Sequence, residues 1–319
     1  DQSPDILIQE NLSPEEDYIF FQNSLNPKSK VNPNIKFIGE VFEVTDLKKL
    51  DEVLTNTQKI KFQNPLPDKF YDDYIHWTNP SIYTHNCIGY KQRPNAQRTY
   101  LMDQEWNFDD ESKARFKLSK DMFNNLSLNK YVLPIDHFAT RIYSHDRELA
   151  ILEYLTLTNY WFWGAYNIGD QNSSTNVCRN LQGDPESISP AKVFTANNTP
   201  AFLSYLDGLP CPTENFVQLY GRRLHHFALG VTDGFIGDES KNYRNVDYVV
   251  DQLKNSHMQF LDHVIGSCQE GLKQIFSKKS LHSLLITEYI QRCNEFDGFF
   301  TKENVAALTK AAGDDDLIT

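Results

Sequence analysis

The sequence predicts an α+β protein in which two βαβββ modules form one curved mixed sheet, preceded by an N-terminal extension. From residue 131 onward, segments with strand and helix patterns occur in the order strand, helix and three strands, and this order is used twice. Each copy opens on a strand that carries a histidine among apolar residues, His137 in the first and His226 in the second. The last strand of the second copy carries Glu288 among apolar neighbours.

The second copy has the clearer pattern, because valines recur at helical spacing between segments that are rich in β-branched residues. Its predicted elements are the strand Arg223–Val231, the helix Tyr243–Asn255, and the strands His263–Cys268, Leu272–Ser277 and Leu281–Arg292. A final helix over Lys302–Ala312 is predicted to end at Gly313, since glycine favours the conformation that follows a helix.

The first copy is predicted by the same order with a weaker pattern. A β-rich segment, Tyr131–Tyr143, precedes an amphipathic helix and an aromatic strand. We expect Gly- and Asn-rich loops after that strand, then one short strand and a helical turn. The remaining predicted elements are the helix His145–Leu155, the strands Asn159–Tyr166 and Lys192–Thr195, and the turn Pro200–Leu206.

The N-terminal part is predicted to be accessory. Residues 1–34 are polar and suggest an arm, while a strand and a helix after them suggest a half-module or an extra layer on the main sheet. Residues 61–110 predict mostly loops, with a strand near Arg98–Met102. The other predicted elements here are the strand Ile35–Val44 and the helices Asp46–Leu54 and Glu111–Asn125. We expect three parts: residues 1–130, the paired modules at 131–312, and an acidic tail at 313–319.

The composition disfavours several classes of function. The chain has 319 residues and a formal net charge of −12, which opposes general binding to nucleic acids and to anionic membranes. No apolar stretch reaches the roughly 20 residues of a membrane span. Five widely spaced cysteines with no CxxC pair predict reduced, buried thiols in a cytoplasmic or organellar protein. A targeting segment cleaved before Asp1 is compatible with this expectation, and the sequence predicts no oligomeric state.

The two histidines and the glutamate suit a metal site. Two neutral imidazoles and one carboxylate can occupy one face of an octahedral ion, typically iron(II), and the other positions stay open for substrate and dioxygen. These side chains are costly to bury in a strand unless they are paired or bound to a metal. The alternative is that each histidine is a hydrogen-bonded core residue. We predict that His137, His226 and Glu288 bind Fe(II) and that the sheet curves around this site.

His225 competes with His226 for the second position. Because neighbouring residues of a regular strand point to opposite faces, only one of the two histidines is expected at the site. His226 is the preferred ligand because it aligns with His137 through the shared sequence His-Phe-Ala.

Two arginines share a strand face with the predicted ligands. By alternation, Arg141 lies on the face of His137, and Arg292 lies on the face of Glu288. An arginine beside a metal-bound histidine is suited to grip a substrate carboxylate with two parallel hydrogen bonds. We therefore predict Arg141 as a catalytic and carboxylate-binding residue and Arg292 as a further substrate contact. A structural ion pair between Glu288 and Arg292 is the alternative.

These motifs together resemble the vicinal oxygen chelate superfamily, which includes the glyoxalase-like proteins. Residues 224–231, Leu-His-His-Phe-Ala-Leu-Gly-Val, are similar to the second-histidine strand of the 4-hydroxyphenylpyruvate dioxygenase family. Residues 271–278, 287–292 and 297–308 resemble that family's Gln-Ile-Phe strand, glutamate strand and closing helix. The spacing of His137 and Arg141 resembles the 2-oxoadipate dioxygenase/decarboxylase (hydroxyglutarate synthase) family. The resemblance covers residues 131–312, and the loops around 167–190 depart from the hydroxyphenylpyruvate family.

The resemblance implies an Fe(II)-dependent dioxygenase that acts on a 4-hydroxyphenylpyruvate-like 2-oxo acid by oxidative decarboxylation. It also implies that Gln274 contacts the substrate. An extradiol dioxygenase or a glyoxalase-like lyase or isomerase is the alternative, and the glyoxalase-like enzymes often use a further carboxylate ligand from the first copy. A metal-free binding protein on the same fold is a third reading.

Overall fold

The computed structural model describes residues 37–57, 66–68, 73–92, 109–181, 189–237, 243–261, 263–281 and 283–318. The arm predicted at residues 1–34 and the strand predicted near Arg98–Met102 lie outside these ranges. In chain order the described elements are β1 (Gly39–Val44), α1 (Leu47–Thr57), β2 (Leu66–Asp68), β3 (Asp73–Trp77), β4 (Cys87–Gln92), α2 (Asp110–Asn125), β5 (Val132–Arg141), α3 (Arg147–Leu157), β6 (Tyr160–Ile168), β7 (Ser173–Asn180), β8 (Ala191–Asn197), α4 (Ala201–Asp207), α5 (Pro212–Tyr220), β9 (Arg223–Val231), α6 (Asn245–Asn255), β10 (Ile265–Ser267), β11 (Leu272–Phe276), β12 (Ile286–Arg292) and α7 (Lys302–Ile318).

An eight-stranded mixed sheet contains both predicted modules, in the strand order β10-β11-β12-β9-β5-β8-β7-β6. Within each module the first strand pairs in parallel with the fourth, β5 with β8 and β9 with β12. The modules join where β5 and β9 pair antiparallel. The structure therefore confirms the predicted fold of paired βαβββ modules.

The two faces of this sheet bury different residues. Glu288 and Ile290 turn toward α7 and the aromatic segment before it, whereas Tyr289 packs with the valines of α6. This alternation follows from the two-residue period of a strand. The candidate ligands consequently lie on the face that α7 covers.

Two elements near the first module were missed by the sequence reading. The region after Tyr166 was expected to be loop, but Ser173–Asn180 forms β7 between β6 and β8. Its serines and asparagines are buried because neighbouring strands supply hydrogen-bond partners, as Asn176 shows by donating to the carbonyl oxygen of Phe194 at 3.2 Å. The helix α5 likewise follows the predicted helical turn.

The N-terminal strands form a third βαβββ module. Their order, β1-β4-β3-β2 with β1 parallel to β4, is the order seen in each half of the main sheet. The expectation of mostly loops at residues 61–110 is therefore wrong for β2, β3 and β4. Asparagine and proline around the short strands obscured them in the sequence.

The third module packs against the first module of the main sheet. Leu54 of α1 and Tyr90 of β4 share a buried cluster with Tyr154 of α3 and Phe194 of β8. The hydroxyl of Tyr90 donates to the carbonyl oxygen of Leu157 at 2.5 Å. The predicted strand and helix, β1 and α1, therefore belong to a complete module. That module also forms a layer on the main sheet.

Near the C-terminus, α7 is longer than predicted. The helix continues through Gly313 and the aspartates to Ile318, whereas the prediction ended it at Ala312. Glycine lowers helix stability by about 1 kcal/mol but does not by itself end a helix. Among the described helices, none combines the length and apolarity that crossing a bilayer requires.

A disulfide corrects the expectation that every thiol is reduced. Cys268, after β10, and Cys293, after β12, are bonded with their Cα atoms 5.2 Å apart. Cys87, Cys178 and Cys211 are free and buried. Wide sequence spacing hid the pair, because the antiparallel strands between the two cysteines return the chain to the same edge of the module.

Thiol titration should detect this disulfide. We expect three reactive thiols when the protein is unfolded without reductant, since two of the five cysteines are bonded. The Cys268→Ser/Cys293→Ser double variant should lose about 3 kcal/mol of unfolding free energy in a denaturant titration, because the cross-link restricts the unfolded chain. Five reactive thiols in the wild-type protein would contradict the cross-link.

Candidate metal centre

Three adjacent strands bring the predicted ligands together. His137 lies on β5, His226 on β9 and Glu288 on β12, and β9 is the central strand of the three. Ala228 of β9 pairs with both His137 and Glu288, and Ala139 of β5 pairs with His226. Alanine at these two central positions leaves the space between the three larger side chains open.

The ligand atoms are close enough to share one ion. Glu288 Oε2 lies 3.2 Å from His137 Nε2 and 3.4 Å from His226 Nε2, and all three ligand atoms fall within 4.8 Å of one another. When two ligand atoms each lie about 2.1 Å from one metal ion and the angle between them at the ion is a right angle, the two atoms are about 3 Å apart. The observed separations therefore fit neighbouring positions around one metal.

Burial supports the same assignment. His137 and Glu288 are 0% and 1% exposed, and His226 is also buried. His137 Nε2 and Glu288 Oε1 make no hydrogen bond within the described part of the chain. Such unpaired buried polar atoms are costly, and a cation between them would satisfy both.

A register shift orients His137. Asp136 is an extra residue in β5 relative to β9, and its carboxylate lies beside the ring that follows it in the chain. Asp136 Oδ1 is 2.7 Å from His137 Nδ1. This contact directs Nε2 toward Glu288, and a carboxylate behind a histidine ligand also raises the basicity of the ring.

A second register shift corrects the prediction for His225. An extra residue in β9 at His225 breaks the alternation, so His225 and His226 do not point to opposite faces. Their Nδ1 atoms are 2.8 Å apart. With Nε2 as the ligand atom of His226, its Nδ1 carries a hydrogen and donates to His225. His226 therefore faces Glu288, and His225 lies behind it.

The electrostatics of the site distinguish the two candidate histidine ligands. Burial alone lowers the pKa of His137, but the carboxylates of Glu288 and Asp136 outweigh it and raise the pKa to about 9. Burial together with the charges of His137 and Arg141 lowers the pKa of His226 well below its ordinary value. A proton on His137 and a bound cation would satisfy the same carboxylates and therefore compete.

Arg292 is held inside the site by several contacts. Its Nη2 lies 2.9 Å from Asp136 Oδ1, its Nε donates to Oδ2 at 3.3 Å, and its Nη1 donates to the carbonyl oxygen of Phe299. Burial alone raises the pKa of Asp136, but Arg292 and His137 outweigh it and hold that pKa well below its usual range. These contacts give Arg292 a positioning role behind His137, and its contact with substrate stays a prediction.

Arg141 and Gln274 are the other predicted residues. Arg141 is buried with its guanidinium carbon 4.6 Å from the centroid of Phe216, and its charge contributes to the low pKa of His226. Gln274 is 0% exposed, and neither its amide nitrogen nor its amide oxygen has a hydrogen-bond partner among the described residues. It shares the face of Glu288, since Phe276 pairs with Glu288 two residues farther along β11.

Aromatic rings enclose the site. The centroids of Phe299 and Phe300 are 5.6 Å and 5.2 Å from that of His137, and Phe276 lies 4.7 Å from His226. The hydroxyl of Tyr166 accepts from the backbone N–H of Phe300 at 3.0 Å and fixes that segment to β6. The sequence reading missed these walls because tertiary packing, rather than spacing, brings them to the site.

The first module supplies no second carboxylate, and hence no fourth ligand, at the position that matches Glu288. In the second module, Glu288 lies on the fourth strand, opposite the residue two places after the histidine. The equivalent position in the first module is Val193, opposite Ala139. An apolar residue there leaves a set of two histidines and one carboxylate.

Comparison with solved structures identifies the fold. A variant of 4-hydroxymandelate synthase from Streptomyces coelicolor matches 88% of this chain and 77% of its own, with a TM-score of 0.56 and 15% identity. A xylose isomerase-like TIM barrel/4-hydroxyphenylpyruvate dioxygenase fusion protein matches 86% of this chain and 41% of its own, with a TM-score of 0.51 and 13% identity. The chain has the vicinal oxygen chelate fold. Its similarity to solved proteins of that fold lies in structure rather than in sequence.

A further solved structure matches the chain with a lower TM-score. Hydroxyglutarate synthase from Oryza sativa, solved with 2-oxoadipate, matches 66% of this chain and 96% of its own, with a TM-score of 0.44 and 12% identity. No family model matches the sequence, and no curated protein matches it. The structural matches with TM-scores above 0.5 show a shared fold, and identities of 13–15% show nothing about the reaction.

Changing the residue behind each histidine should weaken metal binding. We expect Asp136→Asn and His225→Leu each to lower the affinity for Fe(II) or Co(II) by about 10- to 100-fold, because ring orientation and basicity are lost. Anaerobic titration calorimetry measures this change. The exposed helix residue Asp110, changed to Asn, is the control, and equal affinities for all variants would refute the proposed orienting contacts.

Proposed function

We propose that this protein is an Fe(II)-dependent dioxygenase that acts on a 2-oxo acid by oxidative decarboxylation. The convergence of His137, His226 and Glu288 on one buried point is the observation that carries the proposal. These three residues would hold the ion and leave its other positions open for substrate and dioxygen. Bound iron(II) would supply Lewis-acid and redox chemistry for the release of CO2 and the formation of a hydroxylated acid.

The protein's own residues would bind and orient the substrate. A 2-oxo acid carries a carboxylate, and the guanidinium of Arg141 can hold a carboxylate with two hydrogen bonds. The unpaired amide of Gln274 offers a donor and an acceptor on the face that carries Glu288. These two buried polar side chains would position an anionic substrate in a protein whose net charge is −12.

The aromatic walls would exclude water. Phe276 packs against His226, and Phe299 and Phe300 pack against His137, so the ligand atoms face an apolar enclosure. A water-poor site strengthens electrostatic interactions and limits side reactions of reactive intermediates. The segment before α7 would therefore protect the oxidation chemistry from solvent.

The named relatives support the reaction class. The solved 4-hydroxymandelate synthase and the fusion protein that contains 4-hydroxyphenylpyruvate dioxygenase share the fold of this chain. Val193 at the position of a fourth ligand favours this class over a glyoxalase-like enzyme that takes a further carboxylate from the first module. A 4-hydroxyphenylpyruvate-like 2-oxo acid is the proposed substrate.

Oxygen uptake with added Fe(II) across a panel of 2-oxo acids tests the proposal. We expect uptake coupled to CO2 release with at least one acid, and loss of both iron binding and uptake in His137→Ala and Glu288→Gln. The exposed residue His145 provides the control variant, His145→Ala, which should keep both. Unchanged metal content in the two site variants would show that the site is wrong, and iron binding without uptake would point to another reaction.

Substitution of Arg141 tests the proposed carboxylate contact. We expect Arg141→Met to raise the KM for the 2-oxo acid by about tenfold or more, because a charge-assisted pair of hydrogen bonds is lost. Arg141→Lys should recover part of the affinity, since lysine keeps the charge without the planar fork. Steady-state oxygen uptake gives KM and kcat, and an unchanged KM in both variants would contradict the contact.

A further inference from the structure

A cavity lies away from the candidate metal centre, between the third module and the first module of the main sheet. Its volume is about 330 Å³. The cavity is bounded by β1, the segment 78–88, α3 and β8. None of the candidate metal ligands lines it. This volume corresponds to about ten water molecules, which is room for a small organic ligand.

Two polar groups in this wall are buried without partners. Glu40 on β1 pairs through Oε1 with Lys192 on β8, but its Oε2 makes no hydrogen bond within the described residues. The side-chain amide nitrogen of Asn86 is also buried and unpaired. Burying an acceptor and a donor in this way costs free energy, which a ligand with the complementary groups would recover.

The charge of the cavity is negative. Glu40 and Glu153 contribute two carboxylates, while Lys192 contributes one ammonium group that Glu40 already engages. Burial raises the pKa of Glu153 on α3 and outweighs the opposing effect of its side-chain hydrogen bond with Ser81. A ligand with a positive charge would compensate the negative charge of the cavity.

The loop that closes the cavity is preorganised. Ser81 Oγ accepts hydrogen bonds from the backbone N–H groups of Tyr83 and Thr84, and the backbone N–H of Ser81 donates to the carbonyl oxygen of Asn86 at 2.9 Å. These bonds fix the backbone around Asn86 before any ligand arrives. A fixed wall lowers the entropic cost of binding.

We propose that this cavity binds a small organic cation, a protonated primary amine that carries hydroxyl groups. The ammonium group donates to Glu40 Oε2 and to the Glu153 carboxylate, and a hydroxyl oxygen of the ligand accepts from the side-chain amide of Asn86. Tyr83 forms part of the wall, and the faces of aromatic rings attract cations. Each unpaired polar atom of the cavity thereby gains a partner.

Matched probes test the chemical class of the ligand. D-Glucosamine and D-glucose have nearly the same shape and differ only at C2, where glucosamine carries an ammonium group and glucose a hydroxyl. Ethanolamine is a smaller hydroxylated amine. We expect glucosamine or ethanolamine to bind the full chain in titration calorimetry and to raise its Tm, and we expect glucose to do neither. Absence of binding by both amines, or equal binding of glucose, would overturn the proposal.

A pair of variants on one helix tests the residues. Glu153→Gln keeps the shape of a side chain that lines the cavity, and Glu148→Gln makes the same change at an exposed position of α3 outside it. We expect the first to weaken binding of the amine probe about tenfold and the second to leave it unchanged. Equal affinities in the two variants would refute the role of Glu153.

Asn86→Leu separates binding from folding. Because the buried amide nitrogen has no partner among the described residues, we expect leucine to raise the Tm of the protein without probe and to abolish the shift that the amine causes. A lower Tm together with an unchanged amine response would contradict the proposal. Iron content measured on the same samples should not change, so this outcome is independent of the proposed dioxygenase activity.

Discussion

The antiparallel pairing of β5 with β9 is the constraint on which the rest of the structure depends. This pairing joins the two modules into one sheet and sets the separation of His137 and His226. Two of its three register shifts, at Asp136 and at His225, place the side chain of the residue before each histidine beside the imidazole ring of that histidine. A regular ladder would place those neighbours on the opposite face, and each imidazole would lose the contact that fixes its orientation.

Burial of Glu288 imposes the second constraint. A carboxylate that is 1% exposed requires positive charge or hydrogen-bond donors nearby. A proton on His137, whose pKa is raised to about 9, meets part of that requirement. Contacts from His137 to Asp136 and from Asp136 to Arg292 add a further positive charge behind it. Charged contacts therefore link the two modules in addition to apolar packing.

Much of the paired-module fold could be predicted, because its strands are apolar and its helix α6 has a regular stripe of valines. Predictions from the sequence were wrong where tertiary contacts override the local residue pattern. Strand β7 is polar, yet β6 and β8 satisfy its buried groups, and the disulfide joins cysteines that only the sheet brings together. For the site, the spacing of His-Phe-Ala predicted which histidine faces Glu288, but alternation misplaced His225, since a register shift has no sequence signature here.

The third module has a consequence for where such a site can form. By strand register, the positions that correspond to the histidine and glutamate of the second module are Gly39 and Gly89. A Cβ atom at Gly39 would collide with the carbonyl oxygen of Cys87, and one at Gly89 would press on Ile75 and Trp77. A side chain at Gly39 would therefore require the backbone of β4 to move, and one at Gly89 would require the side chains of Ile75 and Trp77 to repack. The third module thus repeats the strand arrangement of the other two, while close packing leaves no room for a side chain at Gly39, the position that corresponds to the histidines in them.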